Sequence, residues 1–182
     1  MTPLRLLIAC ACLAVLLPLP RIHAQSQELL IPGYPVAVDV PGARNMPDPN
    51  TTYKVLFDIG DAAAKPADVN PGLIGVAKYV NTLAKFGVPQ DHRKIAVVFH
   101  KEALPIVVNN EAWKAAHSGA DNPNIPLIQA LAKAGVEFHV CGQGVERTKI
   151  NPNTIQPEIQ LDLWALTTMV DLEQQGYIRI GN

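Results

Sequence analysis

Four stretches of this chain are short, dense in apolar residues and rich in β-branched or aromatic side chains. They are Tyr53–Ile59 (YKVLFDI), Ile95–His100 (IAVVFH), Val136–Cys141 (VEFHVC) and Tyr177–Ile180 (YIRI). Their length and composition predict strands. Between them the apolar period lengthens. Leu73, Val76, Ala77, Val80, Leu83 and Ala84 fall on one helical face, with Asn70-Pro71 as cap and first-turn proline and Gly87 as stop. Asn124 caps a second helix that runs through Ala134, where Pro126 is early enough to be tolerated and Gly135 closes the element. From about Glu158 to Gln175 two apolar stripes, Leu161/Trp164/Ala165/Thr168/Leu172 and Leu163/Leu166/Val170, predict one long helix buried on two sides. One side meets its own sheet; the other meets either a neighbouring subunit or the N-terminal arm. The region Lys101–Asp121 is less regular, with Ala103–Val108 open between helix and strand and Glu111–His117 a short helix. Strands alternating with helices predict an α/β fold, a three-layer sandwich around a mostly parallel sheet. In such a sheet the strand C-terminal ends share one rim, where ligands commonly bind. Asp58, His100 and Cys141 each stand at or near the end of a different strand.

The first 52 residues follow other rules. Met1–Arg5 carries a positive charge, Leu6–Leu19 is almost wholly apolar, and Ile22-His23-Ala24 ends in a small residue. That order predicts a signal peptide over 1–24, and with it a periplasmic or secreted address. Residues 25–50 hold five prolines, which exclude a helix and predict an arm laid over the body through Leu29-Leu30-Ile31 and Val36-Ala37-Val38. The α/β domain is expected over 51–182. Of 182 residues 48% are hydrophobic and 17% charged, and the formal charge is −1, with 5% aromatic residues. This describes a globular chain without the cationic or base-stacking surface that nucleic-acid binding needs. No segment after the signal is long and apolar enough to hold the protein in a membrane.

Removal of 1–24 takes Cys10 and Cys12 and leaves Cys141 alone, so an internal disulfide and a multi-thiolate metal site are excluded. In an oxidising compartment a single cysteine has an intermolecular partner, is a reactive thiol, or is buried and inert. Cys141 is followed by Gly142-Gln143-Gly144, a turn that leaves a strand and opens a helix. Backbone N–H groups in such a turn, with Arg147 or Lys149 folded back, would favour thiolate and make the sulfur nucleophilic. His100 is the candidate hydrogen-bond or proton partner of Cys141, and Asp58 the candidate to orient it. His139 shares a strand face with Glu137 and Cys141, a polar face expected at a cleft or subunit border. His92 and His117 look like loop or surface residues. Histidines without HxH or HExxH spacing give no metal site. GxGxxG, GxxxxGK[ST] and GxSxG are all absent.

The stretch Val97-Val98-Phe99-His100, the Asn122-Pro123-Asn124 helix start, Gly135-Val136-Glu137-Phe138-His139-Val140-Cys141-Gly142-Gln143 and Gln175-Gly176-Tyr177 resemble the DsrE/DsrF-like family. Exported relatives are also similar through Tyr53–Asp58 and Asn81-Thr82-Leu83, so the resemblance spans most of the chain after residue 53. It implies an α/β sandwich of the sulfur-relay type, usually homo-oligomeric, that carries sulfane sulfur as a persulfide on a strand-end cysteine, here Cys141. His100 falls where such relatives have a histidine, often followed by glycine where this chain has Lys101. No bound cofactor is implied, and the expected partners are sulfur donor and acceptor proteins or small thiols. Two other readings stay open: a non-catalytic oligomeric binding module with a structural cysteine, and a thiol redox sensor.

Overall fold

In the computed structural model residues 29–181 are described; the expected signal peptide, 1–24, lies outside them. Five strands, β1 (Tyr53–Ile59), β2 (Arg93–Phe99), β3 (Val136–Cys141), β4 (Ile159–Asp162) and β5 (Ile178–Ile180), form one sheet in the order β4-β3-β2-β1-β5. Every pairing is parallel. Parallel neighbours cannot be joined by tight hairpins, so each connection crosses over the sheet or its rim. The crossovers carry α1 (Pro71–Lys85), α2 (Asn110–Ala116), α3 (Ile125–Lys133), α4 (Gly142–Thr148) and α5 (Ala165–Gln174).

Register assigns the faces. Val97 pairs with both Phe57 and Phe138, and Phe99 with Ile59 and Val140, so these residues share one face. There Phe99 stacks on Phe138 at 5.8 Å, and α1 closes over Ile59, whose side chain lies 3.0 Å from where a Cβ on Gly72 would stand. The α1 stripe buries Leu73, Val76, Ala77, Val80 and Leu83, as its periodicity predicts. Asn70 caps it, its side chain accepting from the Gly72 amide at 2.8 Å. The opposite face carries Leu56, Asp58, Ala96, Val98, His100, Glu137, His139 and Cys141, and α5 packs across it. Helices therefore cover both faces of the sheet, the α/β sandwich expected.

The long helix expected from Glu158 to Gln175 is not formed. Residues 159–162 are instead strand β4, and the helix begins only at Ala165. Ile159, Leu161 and Leu163 also alternate at a period of two, and pairing with β3 satisfies the backbone of this segment. Met169 and Leu172 of α5 are buried against the sheet. Asn124 begins α3 without a side-chain cap; its side chain instead accepts from the Asn70 amide at 2.8 Å and bonds Asn122. Lys101–Val107 is a 3-10 helix, and the short helix expected at Glu111–His117 is α2.

The arm rests on α1, not on α5. Ile31 enters the core at 1% exposure. Asn81 exchanges hydrogen bonds with the Ile31 amide and carbonyl at 2.7 and 3.0 Å, and Thr82 accepts from the Ala37 amide at 3.0 Å. A buried asparagine on an otherwise apolar stripe is thus explained by the backbone it holds.

Candidate functional site

Strand β3 delivers Cys141 to the C-terminal rim, and α4 starts at the next residue. Among the described residues Cys141 is the free cysteine, and it is 6% exposed. The Ala165 amide, the first of α5, donates to its Sγ at 3.4 Å. The N-terminal end of a ten-residue helix therefore faces the sulfur. This differs from the expectation for Gly142–Gly144 in one respect: the Gln143 amide is taken by the Leu163 carbonyl at 3.2 Å. The glycines serve close approach. A Cβ on Gly142 would stand 2.5 Å from the Asp162 carbonyl oxygen, and one on Gly144 2.6 Å from a Leu104 methyl. The α4 turn fits between the β4 exit and the 3-10 helix only without those side chains.

His100 follows β2 one residue beyond the Phe99–Val140 pair, so it and Cys141 leave adjacent strands side by side. Its Nε2 bonds Asp58 Oδ1 at 2.5 Å, with side chains 13% and 8% exposed. The imidazole is thus oriented by Asp58, as expected, and that hydrogen bond is not made to the sulfur. Arg179 of β5 lies 3.7 Å from the other Asp58 oxygen and pairs with Glu173. Lys101 takes φ 49°, the left-handed region that favours glycine, at the position where the resemblance leads one to expect glycine. A Cβ on Gly60, opposite, would stand 3.1 Å from His100 Nε2. Arg147 is exposed on α4 and makes no ion pair among the described residues, while Lys149 pairs with Glu146 at 2.8 Å. Neither cation is folded back on the sulfur. His92 bonds the Pro49 carbonyl, and the His117 ring lies tilted against Trp113.

A second histidine–carboxylate pair stands on the other side of Cys141. His139 Nδ1 bonds Asp162 Oδ2 at 2.9 Å, and Asp162 is the register partner of Cys141 on β4. Thr168 of α5 donates to the same oxygen at 2.8 Å, and Gln160 donates to Oδ1 at 2.7 Å. His139 Nε2 is buried without a partner. A cavity of about 360 Å³ opens here, lined by His139, Gln160, Asp162, Leu163, Thr168 and Asp171 among others. Of the Glu137/His139/Cys141 face expected at a cleft or subunit border, His139 alone lines this cavity. Asp162, Thr168 and Ala165 were not legible as site residues, because the sequence places them all inside one helix. The alternation Ile159-Gln160-Leu161-Asp162 was the signal that could have separated them. Nearby, burial raises the Tyr177 phenol above its usual range, Glu137 adding to the effect, so it stays protonated at neutral pH.

Around this rim Leu161, Leu163, Trp164, Leu166 and Val170 are all exposed, Leu163 to 76%. The second apolar stripe read from the sequence thus faces outward.

A family model for the DsrE/DsrF-like family matches residues 54–180. No curated protein matches the chain. Among solved structures, a protein of unknown function from Methanobacterium thermoautotrophicum is similar at 13% identity and a TM-score of 0.45, covering 70% of this chain and 97% of its own. The family match takes in all five strands and the whole rim around Cys141, and on it the chain belongs to the DsrE/DsrF-like family.

Proposed function

We propose that this protein is a periplasmic sulfur carrier that holds sulfane sulfur as a persulfide on Cys141. Its family is associated with sulfur relay, and the observation that carries the finer reading is the Ala165 amide aimed at the Cys141 sulfur. In loading, the Cys141 thiolate attacks the outer sulfur of a donor persulfide, R–S–SH. The donor's S–S bond breaks, the R–S⁻ thiolate leaves, and Cys141–S–SH remains. In unloading, an acceptor thiolate attacks that outer sulfur and Cys141 departs as thiolate. Sulfane sulfur moves without net oxidation or reduction. His100, held by Asp58, supplies or receives the proton as thiol and thiolate interchange.

Homo-oligomerisation is part of the proposal. The exposed Leu161, Leu163, Trp164, Leu166 and Val170 support a subunit contact beside the cysteine. The periplasmic address rests on the 1–24 pattern in the sequence. Donor and acceptor are proteins or small thiols.

Incubation with a sulfane-sulfur donor, followed by intact-mass measurement, tests the reading. One added sulfur is expected, and none in Cys141→Ser. No addition, or addition that survives the substitution, overturns it. The 6% exposure of Cys141 favours a second reading, an oligomeric binding module whose cysteine is structural. Under that reading the native thiol takes up no sulfur.

A further inference from the structure

We propose that Asp162 and Thr168 are positioning residues for Cys141, acting together as the missing cap of α5. The inference rests on the reading of Cys141 as the sulfur-carrying nucleophile and identifies what holds that sulfur's hydrogen-bond donor in place.

Helix α5 has an unusual start. Its N-cap residue is Trp164, which offers no side-chain acceptor, and the helix makes no side-chain cap hydrogen bond. The Thr167 and Thr168 amides bond the Trp164 carbonyl, but the amide at the first position has no intrahelical partner, and a first turn without a side-chain cap is prone to fray. That first amide, Ala165 N–H, is the group on the Cys141 sulfur. The turn is instead held from the sheet. The Thr168 hydroxyl, three residues into the helix, donates to Asp162 Oδ2 at 2.8 Å; its contact with the Trp164 carbonyl is longer, 3.3 Å. Asp162 is itself fixed by His139 Nδ1 from β3 and by Gln160 from its own strand. The Leu163 carbonyl, between Asp162 and the helix, accepts from Gln143 in α4. The segment 162–165 is thus tied on both sides, and those ties set where the Ala165 amide points.

The same contacts occupy the Asp162 carboxylate. It lies in register with Cys141, where a free negative charge would oppose a second on the sulfur. Three donors already bond its two oxygens, so the carboxylate serves as an anchor.

The test uses the full chain and two readouts: the rate of iodoacetamide modification of native Cys141 at fixed neutral pH, and the Ala165 amide resonance. Thr168→Val is expected to slow modification about tenfold and to shift the Ala165 resonance toward a free amide. Thr168→Ser, which keeps the hydroxyl, is expected to restore both to within about twofold. An unchanged rate and resonance in Thr168→Val, or failure of Thr168→Ser to restore them, overturns the proposal. Asp162→Asn gives a second reading should Thr168→Val fail to fold. An anchor predicts slower modification, whereas a carboxylate acting only as a charge beside the sulfur predicts faster modification, and unchanged or faster modification overturns the proposal. Wild-type protein that takes up no sulfane sulfur from the donor but responds to these substitutions as described would sink the persulfide reading and leave the anchor standing.

Discussion

Two histidine–aspartate pairs flank Cys141, and they are built alike. Asp58 on β1 bonds His100, two register positions further along β2; His139 on β3 bonds Asp162, two positions further along β4. Each is a diagonal contact between neighbouring parallel strands on the face that α5 covers. Their surroundings differ. The Asp58 pair ends in an arginine, Arg179, and its histidine stands at the start of the short 3-10 helix Lys101–Val107, not of α5. The Asp162 pair is attached through Thr168 to the helix whose first amide touches the sulfur. The two contacts are alike in register but differ in the ring nitrogen used, Nε2 in His100 and Nδ1 in His139, and the proposals above give them different roles: one pair to move a proton, the other to hold a donor still.

The largest expected effect separates those roles. His100→Asn should slow release of sulfur from loaded protein to a small thiol about 100-fold, the low end of general acid–base contributions. Alkylation of unloaded Cys141 should stay within about threefold of wild type. If release slows by less than about threefold, the Asp58–His100 pair is structural. Next in size is Gly142→Ala, which places a Cβ 2.5 Å from the Asp162 carbonyl oxygen, a backbone atom that cannot swing aside. Urea unfolding should show a loss of about 2 kcal/mol, whereas a loss under about 0.5 kcal/mol would show that the β4 exit yields easily. His139→Asn removes one of three donors from Asp162 and should cost about 1 kcal/mol by the same measurement. A neutral result would assign the anchoring to Thr168 and Gln160 alone. The smallest effect belongs to Arg179→Gln: its 3.7 Å contact with Asp58 is long and its side chain is 36% exposed, so about 0.5 kcal/mol or less is expected. A larger loss would make the arginine an integral part of the first pair.

The same comparison shows what the sequence can carry. Strands β1 and β3 coincide with the apolar runs YKVLFDI and VEFHVC, and α1 with its apolar stripe, buried at all but Ala84, because each is a local pattern that meets the core on the expected side. Cys141, His100 and Asp58 were legible as rim residues because strand ends in a parallel sheet share one edge. Their pairing was not. Which histidine meets which aspartate depends on strand order and register, and a one-residue slip would turn every one of these side chains to the other face. Asp162 was further hidden because Leu161, Trp164, Ala165, Thr168 and Leu172 satisfy helical spacing across what is really a strand, a turn and a helix. The donor to the sulfur follows from the same misreading: with no break at 163–164, no helix start existed there to supply an amide.

The central claim is that the Cys141 sulfur, though 6% exposed, is a working nucleophile beneath the start of α5. The most direct measurement compares iodoacetamide modification of Cys141 in the native protein and in the urea-unfolded chain at neutral pH. The account predicts a native rate within about tenfold of the unfolded one. Modification that occurs only as the protein unfolds would contradict it.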